Sequence, residues 1–327
     1  MKSGVGSSGS CCMFSGVNRR LSKVAGERGG WFTRADALES GYSDSEIRLR
    51  LRGRRWARLC RDAYVEPGGW PADEQPWERT RRLHLLLARA VVQRMGEGAA
   101  ISHQSAAVLH SLPSWGLDLE RVHLTKSIGR VRSDRALQVH RSPLEPDDVR
   151  EVLGLCLTSP ARAIVETTCS SSYEVGVVLA DAALREGLVT SDQLIAIANR
   201  FEHWAGSPAA RTAVALADGL SESVGESRLR VLMANEGLPR PQLQVEIHDS
   251  GGQLLGRVDF LVIQQLIVEF DGVQKYDSAE VIVAEKWRED RLRELGYSFA
   301  RVGWADLDRP RETSKRLRWL LARSIAA

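Results

Sequence analysis

The chain has 327 residues and a mass of 36.2 kDa, enough for about two domains, and its 43% apolar content supplies real cores. No apolar run approaches the ~18 residues that span a bilayer, which argues against a membrane protein. The five cysteines contain no CxxC pair, which excludes a zinc ribbon and fits thiols kept in a reducing cytoplasm.

The formal charge of +3 hides an asymmetry. Residues 1–61 hold 13 Lys/Arg against 5 Asp/Glu, so the remainder of the chain is net acidic. A basic head on an acidic body points to a polyanion held by the head.

Residues 1–17 are expected to be a disordered Gly/Ser tail without the pattern of a signal peptide. Their GxGxxG (Gly4, Gly6, Gly9) follows no strand and opens no helix, so it carries no phosphate-binding reading. In residues 18–66, Thr33 caps a short helix through Leu38, and Gly41 ends it. Ser43 and Glu46 form a capping box for a second helix that Gly53 stops near Arg52. RRWARLCRDAYVEP then reads as short strands. This order is that of a winged helix-turn-helix. Seven arginines fall between positions 48 and 61 with no acid among them. Arg48 and Arg52, on one helical face, are placed to reach base edges, and Arg54, Arg55 and Arg58 to contact DNA phosphates.

A Pro/Gly-rich linker follows, then a mixed, mostly helical middle region, 77–220. Arg79–Met95 is expected to be helical, with Leu83, Leu86 and Leu87 inward. Ser102 is expected to cap a helix over Ala106–Leu112, and Arg121–Leu124 and Leu137–Arg141 to be short strands. His103 and His110 lie two helical turns apart, too far to share a metal, and are expected to serve as core or cap residues.

Residues 221–327 carry the clearest pattern: a helix with Glu226, strands at 242–248, 256–262 and 266–272, a charged helix near 279–295, and a strand at 297–302. A three-residue loop at 263–265 pairs 262 with 266, 260 with 268 and 258 with 270, leaving one face wholly apolar. The same register sets Asp259 against Glu269 and Arg257 against Asp271. Two carboxylates so close call for a proton or a cation between them. Oxygen ligands of this kind suit Mg²⁺. Glu226 is a candidate third acid, and Lys275 and Lys286 are candidates to orient or activate a water.

Asp259, then Glu269-Phe270-Asp271-Gly272, the helix EKWREDRLRELG and YSFARV resemble the PD-(D/E)xK nuclease superfamily, in the branch of the very-short-patch-repair endonucleases. The resemblance covers about residues 221–308. It implies a restriction-endonuclease-like αβββαβ fold, with Asp259 and Glu269 as Mg²⁺ ligands and Glu226 as the helix acid. The superfamily's lysine position is held here by Asp271, as in many members of that branch. GGWFTRADALESGYSDSEIRLRLRGRRWARLCRDAYV resembles the N-terminal domain of abortive-infection type IV antitoxins, and ISHQSAAVLHSL, VHLT, LTSPARAIVE and ADAALREG extend that likeness into the middle region.

The expectation is thus an α+β multidomain protein of the cytoplasm that binds DNA and carries a Mg²⁺-dependent endonuclease site. The alternative is an antitoxin-like transcriptional regulator, with a toxin as partner, whose nuclease-like domain is an inert scaffold.

Overall fold

A computed structural model describes residues 16–67, 70–71, 73–95, 98–128, 133–272 and 279–326, the side chains of 279–285 and 325–326 excepted. The chain is a mixed α+β protein with three sheets among the described residues, and it divides into two compact units, 1–159 and 160–327. None of its described helices is long and apolar enough to cross a membrane.

The first unit opens with α1 (Arg19–Glu27), β1 (Phe32–Thr33), α2 (Arg34–Glu39), α3 (Asp44–Arg52), β2 (Ala57–Cys60) and β3 (Ala63–Val65). The local signals act as expected. Thr33 caps α2, and Ser43 with Glu46 forms the capping box of α3, which stops at Gly53. The strands pair in the order β1-β3-β2. Leu21, Phe32, Ile47, Trp56 and Tyr64 make the core. Trp56 is 1% exposed and meets Phe32 and Tyr42 edge to face, so packing, not stacking on a ligand, is its work.

The rest of this unit is α4 (Pro76–Met95), β4 (Ala99–Ile101), α5 (His103–Leu109), β5 (Val122–Lys126), β6 (Leu137–Arg141), β7 (Val149–Val152) and β8 (Leu155–Thr158). The five strands pair in the order β6-β5-β4-β8-β7. On α4 the buried stripe includes His84, Leu86 and Leu87, with Leu83 only half-buried. The α5 helix begins at His103, three residues before the position expected from sequence, and the Ser102 hydroxyl makes no capping bond.

The second unit starts with α6 (Pro160–Ser170), α7 (Tyr173–Arg185), α8 (Ser191–Arg200) and α9 (Ser207–Leu216). The boundary therefore falls inside the stretch that the sequence pattern treats as one middle region. The reason is packing: Val177 of α7 and Ala213 of α9 share a core with Val231 of α10 (Val224–Asn235). Asp181 of α7 also accepts from Ser227 and Arg230 of α10 in a buried network, which fixes the helix that carries Glu226.

Next come β9 (Gln242–His248), β10 (Leu254–Val262), β11 (Leu266–Asp271), α11 (Ala279–Glu294), β12 (Ser298–Gly303), α12 (Trp304–Leu307) and α13 (Pro310–Ala326). The sheet order is β12-β11-β10-β9, antiparallel except for the β11–β12 pair. The β10–β11 register next to the loop is the one read from the hydrophobic pattern, Val262 with Leu266, Leu261 with Ile267 and Phe260 with Val268, but the ladder ends there and the expected pair of Val258 with Phe270 is not formed. Phe260, Val262, Leu266 and Val268 pack with α10 and α13, and Leu261 and Ile267 pack with Leu292 of α11.

Candidate functional site

The acids gather where β10 and β11 part. Pairing between these strands stops at Phe260 and Val268, although β10 continues beside β9 and β11 beside β12. Asp259 fills the fork. Its Oδ2 accepts from the backbone N–H of Phe270 at 2.8 Å, a bond the ladder no longer makes. Burial pushes the Asp259 carboxyl above its usual range. The Phe270 N–H opposes this, Glu269 and Glu222 add repulsion, and Arg288 counters it.

Glu226 sits in the first turn of α10, where Ser223 is the N-cap and accepts from the Glu226 N–H. Its carboxylate turns back to accept from the Glu222 N–H and the Ser223 hydroxyl at 2.8 Å, and from Gln244 Nε2 at 3.0 Å. Burial raises this carboxyl too, against those hydrogen bonds, and the nearby charges of Asp259 and Glu222 raise it further. Asp259 is thus electrostatically coupled to both Glu226 and Glu269.

Glu269 takes a cation from α11: Arg288 Nη2 lies 2.8 Å from its Oε1. Arg288 is absent from the residues the sequence pattern singles out. One signal for it exists. Leu292, four residues on, is fully buried, so Arg288 shares the helix stripe that faces the sheet. Lys286 lies off that stripe, is exposed, and bonds to none of the described residues. Lys275 lies outside the described residues. Asp271 ends β11 opposite Gly303. Neither expected cross-strand pair, Asp259 with Glu269 or Arg257 with Asp271, is part of the ladder, because the strands have parted; Arg257 bonds Glu222 at 2.8 Å instead.

In the first unit, Arg48, Arg52, Arg54, Arg55 and Arg58 are all exposed. Arg48 Nε donates to the carbonyl of Asp44, and the Arg58 guanidinium lies over the Tyr64 ring. Arg52, Arg54 and Arg55 have no acidic partner within ion-pair distance among the described residues. Arg50 differs from its neighbours. It lies over the rings of Tyr42 and Trp56 and donates to the carbonyl of Gly16, so its charge is committed to the fold.

The same unit holds a second cluster. His103, His123 and His140 each offer one ring nitrogen within 4.8 Å of the others, close enough to share a metal ion. Among the described residues no other trio of His, Cys, Asp or Glu does so, the carboxylates of the second unit included. Burial lowers His123 to about 4 and also lowers His140, which keeps their imidazoles neutral. The sequence pattern measures His103 only against His110, and His110 is a core residue bonded to the Thr158 carbonyl. The missed partners lie on strands β5 and β6, in VHLTK and LQVHR, where a histidine among alternating apolar residues was the available signal.

No protein-family model matches the chain. Two curated proteins of Mycobacterium tuberculosis are similar to it: Uncharacterized protein MT2308 (strain CDC 1551 / Oshkosh) and Uncharacterized protein Rv2248 (strain ATCC 25618 / H37Rv). Each is 29% identical over 219 residues, which cover 66% of this chain and 78% of the relative.

Proposed function

We propose that the chain is a cytoplasmic DNA-binding protein whose second unit hydrolyses phosphodiesters with Mg²⁺. The observation that carries the reading is the coupling of Asp259 to Glu269 at the strand fork, where burial and like charge both favour a cation. The donors fit that ion. They are carboxylate oxygens only, and since Oδ2 of Asp259 is committed to the Phe270 N–H, Oδ1 is the oxygen left to a metal. Asp259 and Glu269 would hold Mg²⁺, which supplies a lowered water pKa and charge stabilisation at the phosphoryl group. Glu226, held by its cap, positions the acid side of the site. Of the two lysines expected to orient the attacking water, Lys286 is exposed and off the stripe of α11 that faces the sheet, so Lys275 would take that role, and Asp271 stands where the superfamily pattern has lysine. The exposed Arg48, Arg52, Arg54, Arg55 and Arg58 support the DNA reading, with a winged helix-turn-helix laying α3 in the major groove. The thiols of Cys60, Cys156 and Cys169 are unpaired, in keeping with a reducing compartment.

A second reading rests on one contact. Arg288 already neutralises Glu269, and with Asp271 at the lysine position the fork can be a closed structural ion pair. The protein is then an antitoxin-like regulator that reads DNA without cutting it. Supercoiled plasmid incubated with Mg²⁺ separates the two. Nicking that vanishes in both Asp259→Ala and Glu269→Ala supports the endonuclease. Salt-sensitive DNA binding without nicking by the unsubstituted protein supports the regulator.

A further inference from the structure

We infer that His103, His123 and His140 form a binding site for a divalent transition metal of the Zn²⁺ class, independent of the carboxylate fork in the second unit. The placement follows from strand register. In the parallel β5–β6 pair, His123 lies opposite Gln138 and Thr125 opposite His140. Alternation then puts both histidines on one sheet face and Val122, Leu124, Leu137 and Val139 on the other. His103 opens α5 in a left-handed conformation, φ 53°, uncommon for any residue but glycine. Its ring stacks on that of His140 at 3.7 Å between centroids.

The spacing suits a metal. His123 Nδ1 and His140 Nε2 are 2.9 Å apart, and one nitrogen of all three lies within 4.8 Å of the others. Zn–N bonds of about 2.0–2.1 Å in a tetrahedron set ligand nitrogens about 3.3 Å apart. Reaching that geometry requires the His103 and His140 rings, now stacked with 18° between their planes, to turn about χ2 so that their in-plane lone pairs meet at one ion. Three imidazoles with no carboxylate select Zn²⁺, Cu²⁺ or Ni²⁺ over Mg²⁺ or Ca²⁺.

Two polar side chains beside the trio have an oxygen without a hydrogen-bond partner. Gln104 Nε2 lies 2.9 Å from His123 Nε2, while its buried Oε1 has no partner. Rotating that amide lets Oε1 accept from Nε2–H and frees the Nδ1 lone pair for a metal. The exchange gives up only the 3.3 Å bond to the Asp118 carbonyl. The Ser102 hydroxyl lies 3.0 Å from His103 Nδ1 and orients that ring. Thr125, 0% exposed, sits beside His140 in the ladder with Oγ1 unbonded. Three histidines leave a fourth position open, and a water there gives Thr125 its partner. Gln104 is a positioning residue in this site; the three histidines are the ligands.

The test uses the full chain carrying Cys11→Ser and Cys12→Ser, so that the tail thiols cannot bind zinc. After chelator treatment, Zn²⁺ is titrated at pH 7.5 against a chromophoric zinc indicator. One Zn²⁺ per chain is expected, weakened at least tenfold by His140→Asn and by Gln104→Ala. It should be unchanged by Asp259→Ala and by His203→Gln, at an exposed histidine. Because substitutions at buried histidines can unfold the unit, circular dichroism accompanies each variant. Co²⁺ loaded into the unsubstituted histidine trio gives a second readout, an intense tetrahedral visible band displaced by Zn²⁺. Zinc binding that survives His140→Asn in a folded chain overturns the site. So does a Co²⁺ spectrum of weak octahedral type, or an absence of binding tighter than roughly 10 µM.

Discussion

Arg288 Nη2 stands 2.8 Å from Glu269 Oε1, so the charge that satisfies this acid comes from the helix packed on the sheet. The pair is mostly buried, with side-chain exposures of 26% and 13%, and is weakly screened by solvent. On the proposed Mg²⁺ reading, a cation entering the fork would compete with Arg288 for Glu269. Arg288→Met should therefore lower the Mg²⁺ concentration for half-maximal nicking several-fold, read from a metal titration. A higher Mg²⁺ requirement would mean that Arg288 serves the metal site instead of opposing it.

Asp259 separates charge from hydrogen bonding. Its carboxyl is raised by burial and by Glu269 and Glu222, so ionisation costs the folded state. The sign is that of a carboxyl raised on folding: its penalty is present at neutral pH and fades as pH falls through the folded pKa toward 3.8. Asp259→Asn keeps an oxygen for the Phe270 N–H and removes the charge. It should abolish nicking and stabilise the second unit by about 0.5–2 kcal/mol. Asp259→Ala leaves that N–H without its acceptor and should destabilise by about 1–3 kcal/mol. Urea melts at pH 7 of both variants check this; equal losses of stability would refute it.

Gly225 sits where α10 crosses the ring of Phe270, and a Cβ built there would overlap that ring. Gly225→Ala should cost about 1–3 kcal/mol by overpacking. Adding Phe270→Leu should recover part of the loss. A double-mutant cycle on thermal unfolding measures the coupling, and strict additivity would show that the ring has other room to move.

Much of this fold is legible in the sequence because its signals are local. The Ser43–Glu46 box, Gly53 and the alternation of 258–270 fix helix ends and strand register without reference to distant residues. The same alternation cannot announce that the β10–β11 ladder ends at Phe260 and Val268, with Asp259 beyond it, because that depends on Asp259 capturing a backbone N–H of another strand. Arg288 and the histidine trio were missed for a related reason. Each is assembled across elements, Arg288 by helix docking and the trio by a parallel pairing whose partners lie 17 residues apart.

His84 makes the first unit sensitive to acid. Burial lowers it to about 4, and it is held neutral between the Leu119 carbonyl and the Ser105 hydroxyl. A base lowered on folding contributes stability that is full above its unfolded value of 6.5 and is lost as pH falls toward 4. The loss approaches roughly 3 kcal/mol for this group alone. His123, also lowered to about 4, adds to it over the same window. Thermal melts at pH 7.5, 6 and 5 should show a falling midpoint, with a shallower fall in His84→Gln. An unchanged slope in that variant would remove His84 as the cause.

If the head binds DNA as proposed, its arginines should divide by task. Arg54, Arg55 and Arg58 changed together to Ala should weaken all DNA duplexes and flatten the salt dependence by up to about three phosphate equivalents. Arg48→Ala with Arg52→Ala should instead narrow the gap between preferred and random duplexes. Fluorescence anisotropy at several salt concentrations reads both. Identical behaviour of the two sets would mean a purely electrostatic surface. Arg50→Ala should act on stability instead, since its guanidinium is lodged over Tyr42 and Trp56.

The aspartate at the strand fork has one structural task and one proposed chemical task. As a ligand it would serve chemistry, and as an acceptor for Phe270 it serves architecture. A descendant that had abandoned cutting would still be selected to retain it, because folding alone demands an oxygen there. Survival of Asp259 among relatives is therefore a poor witness to activity, and the fate of Glu269 and Arg288 is the better one to follow.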